Sequence, residues 1–141
     1  MGPTHDRRVR RSSGVAVLAA LAVGGQLYGL YRVPGPPGPT WFPHVDKVEH
    51  AVGFALPVAL VLLAAGLRAQ ERGSTVTSRT VASVLGVFAG HAVVSELVQH
   101  AFYTTRTGDP VDVLADWVGV AAGGAAGLAL LRSTLTGGRR R

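Results

Sequence analysis

The stretch VDVLADWVGVAAGGAAGLALL, residues 111–131, decides the fold class of this chain. It is apolar over the length that a helix needs to cross the hydrocarbon core of a bilayer, about 20 residues. One helical stripe carries two carboxylates and then small residues four apart, namely Asp112, Asp116, Gly119, Gly123 and Gly127. Because small residues at this spacing let a second helix approach closely, the stretch predicts a membrane helix whose contact face is also acidic.

Three other segments are long and apolar enough to cross a membrane as helices. They run over residues 14–31, about 48–67 and about 80–101. Hydrophobic residues make up 48% of the chain and charged residues 16%, whereas a soluble domain carries roughly 25% charge. We therefore expect an all-α fold, an integral membrane four-helix bundle over residues 14–131.

Basic residues flank the predicted spans unevenly. They cluster before the first span, between the second and third, and after the fourth, which leaves Arg32, Lys47 and Arg106 for the other side. The positive-inside rule then makes residues 1–13 a basic cytoplasmic segment and residues 132–141 a basic cytoplasmic tail. Because arginines lie at the ends of apolar runs, we interpret them as topology signals and expect no nucleic-acid partner.

The first span has a competing interpretation. Arg7–Arg11 followed by apolar residues 15–23 resembles a signal peptide, with Ala20–Ala22 as its cleavage site. The apolar run continues to Tyr31, however, so we expect the span to be retained. The composition, rich in Arg, Ala, Gly and Val, suggests a GC-rich bacterial genome.

Six of the eight carboxylates occur where the predicted helices meet the outer side of the membrane. A charged side chain at a helix centre costs roughly 2.5–3.5 kcal/mol on insertion, so such a cluster requires a compensating role. Helical spacing and the nearby basic and amide groups define the candidate site, which comprises Asp46, His50, Glu96, Gln99, Arg106, Asp112 and Asp116, and Lys47 lies beside it.

Two further carboxylates receive simpler explanations. Asp109 directly precedes Pro110, a pattern typical of a helix N-cap followed by proline at the first helical position. Glu49 is interpreted as a surface group.

In these residues the chain resembles the VanZ-like family of small bacterial membrane proteins. The matching pieces, within about residues 40–130, are Asp46-Lys47-x-x-His50, Ser95-Glu96-x-x-Gln99, and Arg106 followed by Asp112-x-x-x-Asp116-x-x-Gly119. Many family members carry Asn at the position of Asp116. The resemblance implies a multi-pass plasma-membrane protein, and the family is named after a protein linked to resistance to teicoplanin, a glycopeptide antibiotic. The resemblance does not imply a specific reaction.

Three classes of function fit the cluster. In the first, an enzyme acts on an envelope lipid or a lipid-linked cell-wall precursor by general acid–base chemistry, with His50, Glu96, Asp112 and Asp116 as catalytic residues. Substrate binding then falls to Asp46, Lys47, Gln99 and Arg106, with the two basic residues holding a phosphate. In the second, the cluster is a binding or transport path, and in the third it is a structural network that links helices.

The sequence favours no metal and no organic cofactor. His50, Glu96, His100, Asp112 and Asp116 have ligand chemistry, but no HExxH or comparable spacing joins them. The chain has no cysteine, which excludes thiolate sites. The expected partners are membrane lipids, a lipid-linked precursor and a second copy of the chain.

Overall fold

A computed structural model describes residues 3–32, 43–103 and 108–137, and within them it contains four α-helices and no strand. Helix α1 spans Pro3–Tyr31, α2 spans Val45–Glu71, α3 spans Ser78–Phe102 and α4 spans Pro110–Gly137. Each helix contains a segment long and apolar enough to cross a membrane. The all-α four-helix prediction is confirmed, and the chain is a multi-pass membrane protein.

The helices extend beyond the apolar segments that predicted them. Residues 3–13, expected as a separate basic segment, continue α1 toward the N-terminus. Residues 132–137 likewise continue α4 into the expected tail. Arginine is a good helix former, so a polar stretch joined to an apolar helix prolongs it.

Helices α2 and α4 form the most extensive contact in the bundle. Glycines of α4 lie against the alanines of α2 in three successive layers, Gly119 on Ala51, Gly123 on Ala55 and Gly127 on Ala59. A Cβ added at Gly119 or Gly123 would overlap the backbone carbonyl of the facing alanine. The glycine stripe therefore works as predicted, because only glycine permits this approach.

The remaining helices pack around this pair. Helix α1 lies mainly against α2, and α3 lies mainly against α4. A cluster of buried apolar side chains fills the space between them, comprising Leu30, Phe54, Val58, Leu62, Phe88, Ala92 and Val120. Six of the eight carboxylates of the chain lie toward one end of the bundle, beyond most of this cluster.

That end is where α1 and α3 finish and where α2 and α4 begin, and we call it the carboxylate end. The Tyr103 hydroxyl donates a hydrogen bond to the Tyr31 carbonyl there, which joins the ends of α3 and α1. Lys47, in the first turn of α2, contacts Asp109 beside the start of α4. The positive-inside rule predicts that this end faces outward.

Candidate functional site

At the carboxylate end, His50 of α2 and Asp116 of α4 face each other. Their Nδ1 and Oδ1 atoms are 2.9 Å apart, and the Asp116 side chain is completely buried. The contact follows from the helix packing, since His50 directly precedes Ala51 and Asp116 lies three residues before Gly119. Close backbone contact at that layer brings the two side chains within hydrogen-bond reach.

Glu96 of α3 adds a second buried carboxylate. Its Oε2 accepts a hydrogen bond from the Asp109 backbone N–H at 2.9 Å. Gly108 makes this contact possible, because a Cβ at that position would lie 2.5 Å from the Glu96 carbonyl oxygen. The other oxygen, Glu96 Oε1, has no hydrogen-bond partner among the described residues, and the same holds for Asp116 Oδ2. Two buried acceptors are thus left open, which is costly unless a proton or a ligand satisfies them.

Lys47 is surrounded by carboxylates on the surface side of this pair. Its Nζ lies 2.6 Å from Asp109 Oδ2, 2.6 Å from Asp112 Oδ1 and 3.1 Å from Asp46 Oδ2. The ammonium group of Lys47 therefore joins the beginnings of α2 and α4. Lys47 already pairs with these carboxylates, so it could bind a phosphate only by releasing some of them. Its predicted role as a phosphate ligand stays a prediction.

Asp109 combines two roles. Its Oδ1 accepts the Val111 backbone N–H at 2.8 Å, as the predicted N-cap should, and its Oδ2 pairs with Lys47. These two contacts hold the pKa of the Asp109 carboxyl below its ordinary value, the Lys47 hydrogen bond having the larger effect. The predicted cap is confirmed, but the side chain also belongs to the charged network.

Asp112 lies between the Lys47 group and the buried pair. Its Oδ1 binds Lys47, and its Oδ2 is 3.9 Å from His50 Nε2. His50 therefore has a carboxylate near each ring nitrogen, Asp116 at Nδ1 and Asp112 farther from Nε2. Such an environment stabilises the imidazole in a fixed orientation.

Two predicted site residues, Asp46 and Gln99, lie outside the buried His50, Glu96 and Asp116 group. The Asp46 side chain is 58% exposed and contacts only the neighbouring Lys47 among the ion pairs of the described residues. Gln99 is buried and donates its Nε2 hydrogen to the Leu30 carbonyl at 3.2 Å, which links α3 to α1. Arg106 lies outside the described residues, and its predicted role stays a prediction.

The buried group could hold a metal ion. One donor atom each from His50, Glu96 and Asp116 lies within 4.8 Å of the others. Imidazole and carboxylate ligands suit Zn²⁺ or Mn²⁺. Sequence reasoning found no metal motif because the three ligands come from three helices, and only the folded bundle brings them together.

A cavity of about 490 Å³ opens beside the site, between α1 and α2. Its polar lining consists of Gln26, Arg32, Glu49 and His50. His50 thus borders the cavity and also belongs to the buried carboxylate group. Glu49 is exposed, as interpreted from the sequence, and it also lines this cavity.

Gln26 was missed as a site residue. It is 8% exposed, and its Nε2 finds no hydrogen-bond partner within the part of the chain that the structure describes. The sequence carried a signal, since Gln26 is an isolated amide within an otherwise apolar span. Without the position of α2, nothing showed what that amide faced.

The motif residues of the VanZ resemblance begin α2, approach the end of α3 and begin α4, and most of them meet at the carboxylate end. No protein-family model, no curated protein and no solved structure matches the chain. The resemblance therefore stays a prediction, and the geometry of the site carries the argument about function.

Proposed function

We propose that this protein is a VanZ-like integral membrane protein of the bacterial plasma membrane that acts on an envelope lipid or a lipid-linked cell-wall precursor. The reaction uses general acid–base chemistry at the outer leaflet. One observation carries the proposal: His50 is oriented by the buried Asp116 and also borders a cavity between two membrane helices.

The chemistry starts with the Asp116–His50 pair. With the Nδ1 hydrogen donated to Asp116 Oδ1, His50 Nε2 is left as a proton acceptor. A carboxylate placed in this way fixes the tautomer and stabilises the imidazolium that forms when Nε2 takes a proton. Nε2 then removes a proton from water or from a hydroxyl group as it attacks the substrate.

The departing oxygen of the substrate needs a proton in turn, which requires an acid near His50. Glu96 Oε1 is buried without a partner among the described residues, and a ligand atom of Glu96 lies within 4.8 Å of ligand atoms of His50 and Asp116. A protonated Glu96 can deliver a proton to the departing oxygen of the substrate. Asp112, 3.9 Å from His50 Nε2, adds a second negative charge that favours the imidazolium.

The substrate class follows from where His50 lies. The cavity walls come from two helices that can cross a membrane, so an amphiphile can reach His50 without leaving the bilayer. A change in an envelope lipid or precursor gives a route by which the protein influences susceptibility to teicoplanin.

A structural network is the second candidate. Lys47 with its three carboxylates joins α2 to α4, as a helix-linking network would. The bundle has other polar links, however: Gln99 to the Leu30 carbonyl, Tyr31 to His91, and Trp117 to the Ala89 carbonyl. Since helices are already linked in this way, the open oxygens of Glu96 and Asp116 together with the cavity at His50 favour a reactive site. A transport path would use the same groups to relay protons.

Lipid analysis of complemented cells tests the proposal. A strain lacking the protein receives the wild type, His50→Gln or Glu71→Gln, and its membrane lipids are compared by mass spectrometry together with its teicoplanin susceptibility. Glu71 ends α2 at the opposite end of the bundle and serves as the control. We expect His50→Gln to match the deletion strain and Glu71→Gln to match the wild type. A wild-type lipid profile with His50→Gln, at equal protein level, contradicts the proposal.

A further inference from the structure

The α1–α2 cavity changes in polarity along its length. Arg32 and Glu49 lie toward the carboxylate end, whereas Leu21, Leu56 and Pro57 lie deeper along the two helices. Polar groups at one end and apolar groups farther in match the two parts of a lipid. The volume of about 490 Å³ lies in the range, roughly 300–1,000 Å³, that small-molecule sites occupy.

The cavity opens sideways toward the lipid phase. Leu21, Val52 and Leu56 on its lining are 67%, 59% and 54% exposed. In a membrane these side chains face acyl chains, so a lipid can enter laterally between α1 and α2. Room inside is provided by three lining glycines, Gly25, Gly29 and Gly53, because a Cβ added at each would meet nothing within 4 Å.

Gln26 distinguishes among possible occupants. Gln26 lines the cavity, and its buried Nε2 has no acceptor among the described residues, so a fitting ligand should supply one. Gln26 lies six residues before Arg32, roughly 9 Å along the helix at 1.5 Å per residue. A ligand with an anionic group for Arg32 and a second acceptor on the chain side of that group would match both residues.

From these positions we infer that the cavity binds a glycerophospholipid, with its phosphate at Arg32 and an ester carbonyl accepting from Gln26 Nε2. A glycerophospholipid carries its ester carbonyls just below the phosphate, whereas a polyprenyl phosphate has only hydrocarbon there. The inference rests on the proposed function, since it identifies the substrate presented to His50 as an envelope lipid and not a lipid-linked precursor. Binding itself does not depend on catalysis.

Native mass spectrometry of the purified full-length protein in detergent tests the inference. The probes are phosphatidylethanolamine, phosphatidylglycerol and undecaprenyl phosphate, each added at equal concentration. We expect the two glycerophospholipids to be retained at least about 5-fold more strongly than undecaprenyl phosphate, since only they satisfy Gln26. Equal retention of all three probes, or preference for undecaprenyl phosphate, overturns the inference.

Three variants locate the binding. Gln26→Leu removes the donor and should weaken phospholipid retention about 2- to 10-fold, the effect of one hydrogen bond. Gly25→Leu fills the cavity and should weaken retention further, whereas Gly24→Leu, which also meets open space but does not line the cavity, should not. Leucine favours helix over glycine, so neither change should unfold α1. Unchanged retention in both Gln26→Leu and Gly25→Leu places the lipid elsewhere and overturns the inference.

Asp116→Asn separates this inference from the proposed function. Asp116 does not appear in the cavity lining, so the variant should bind phospholipid like the wild type. If it binds normally and cells carrying it keep a normal lipid profile, the proposed reaction fails while the binding site stands. If the wild-type protein does not bind phospholipid, the proposed binding site is wrong, whatever the lipid profile of the cells.

Discussion

His50 of α2 and Asp116 of α4 are joined by a 2.9 Å contact between Nδ1 and Oδ1, one turn from the layer where Gly119 touches the backbone of Ala51. The tightest helix contact and the buried polar pair are therefore parts of one arrangement. A change in the separation of α2 and α4 must alter the geometry of the pair.

Gly119→Ala tests this dependence. Its new Cβ would overlap the Ala51 carbonyl, and because backbone cannot move aside cheaply, the helices must separate. We expect the free energy of unfolding, measured by circular dichroism during SDS titration, to fall by about 1–3 kcal/mol. Gly86→Ala on α3, where a Cβ meets open space, is the matched control and should not destabilise the fold. Equal stability of both variants would show that the α2–α4 contact is looser than described.

Lys47→Met tests the charged network. Removing the ammonium leaves Asp109 and Asp112 without their shared cation, and the Asp112 side chain is only 15% exposed. We expect a loss of about 1–3 kcal/mol in the same titration, less than the roughly 3–5 kcal/mol for breaking a fully buried pair. Adding Asp112→Asn to Lys47→Met should recover part of the loss. Asp46→Asn, at a 58% exposed side chain, should change stability by less than about 1 kcal/mol.

Membrane orientation is open to a direct measurement, because the chain contains no cysteine. Asp46→Cys lies at the carboxylate end, and Ser74→Cys lies in the connection between α2 and α3. In intact cells a membrane-impermeant maleimide should label Asp46→Cys, whereas Ser74→Cys should react only after lysis. The reverse labelling pattern would place the carboxylate end in the cytoplasm and contradict a site at the outer leaflet.

Metal analysis separates acid–base from metal chemistry. Glu96 Oε2 already accepts the Asp109 backbone N–H. His50 Nδ1 is also engaged by Asp116. We therefore expect purified protein to contain well under one equivalent of Zn²⁺ or Mn²⁺ by inductively coupled plasma mass spectrometry. One equivalent that disappears in His50→Gln would favour a metal site.

The fold was predictable because its main signals are local. The lengths of the apolar segments predicted the four helices. The spacing of Gly119, Gly123 and Gly127 predicted a close helix contact, but not which helix makes it. The matching alanines of α2 are too common a residue type to stand out. Helix ends were less predictable, since polar residues such as those before Gly14 continue a helix once an apolar segment has begun it.

The site was predictable in its residue types but not in its partners. Glu96, His50 and Asp116 were singled out because charge inside a membrane helix is costly. Their pairing depends on the rotation and depth of three helices, which spacing along one helix cannot supply. Gln26 was missed because its relation to the cavity depends on how α1 lies against α2. Glu49 is exposed, as interpreted from the sequence, and its place beside the cavity depends on the same packing.

The central claim is that the buried pair takes part in chemistry and does not only hold helices together. Asp116→Asn tests it most directly, because Asn keeps the size of the side chain and an oxygen for His50 Nδ1 but cannot stabilise an imidazolium. One experiment measures the unfolding free energy of this variant and the lipid profile of cells that depend on it. We predict stability within about 1 kcal/mol of the wild type together with the lipid profile of the deletion strain. A normal lipid profile would contradict the account. So would a deletion-like lipid profile that is explained by loss of folded protein.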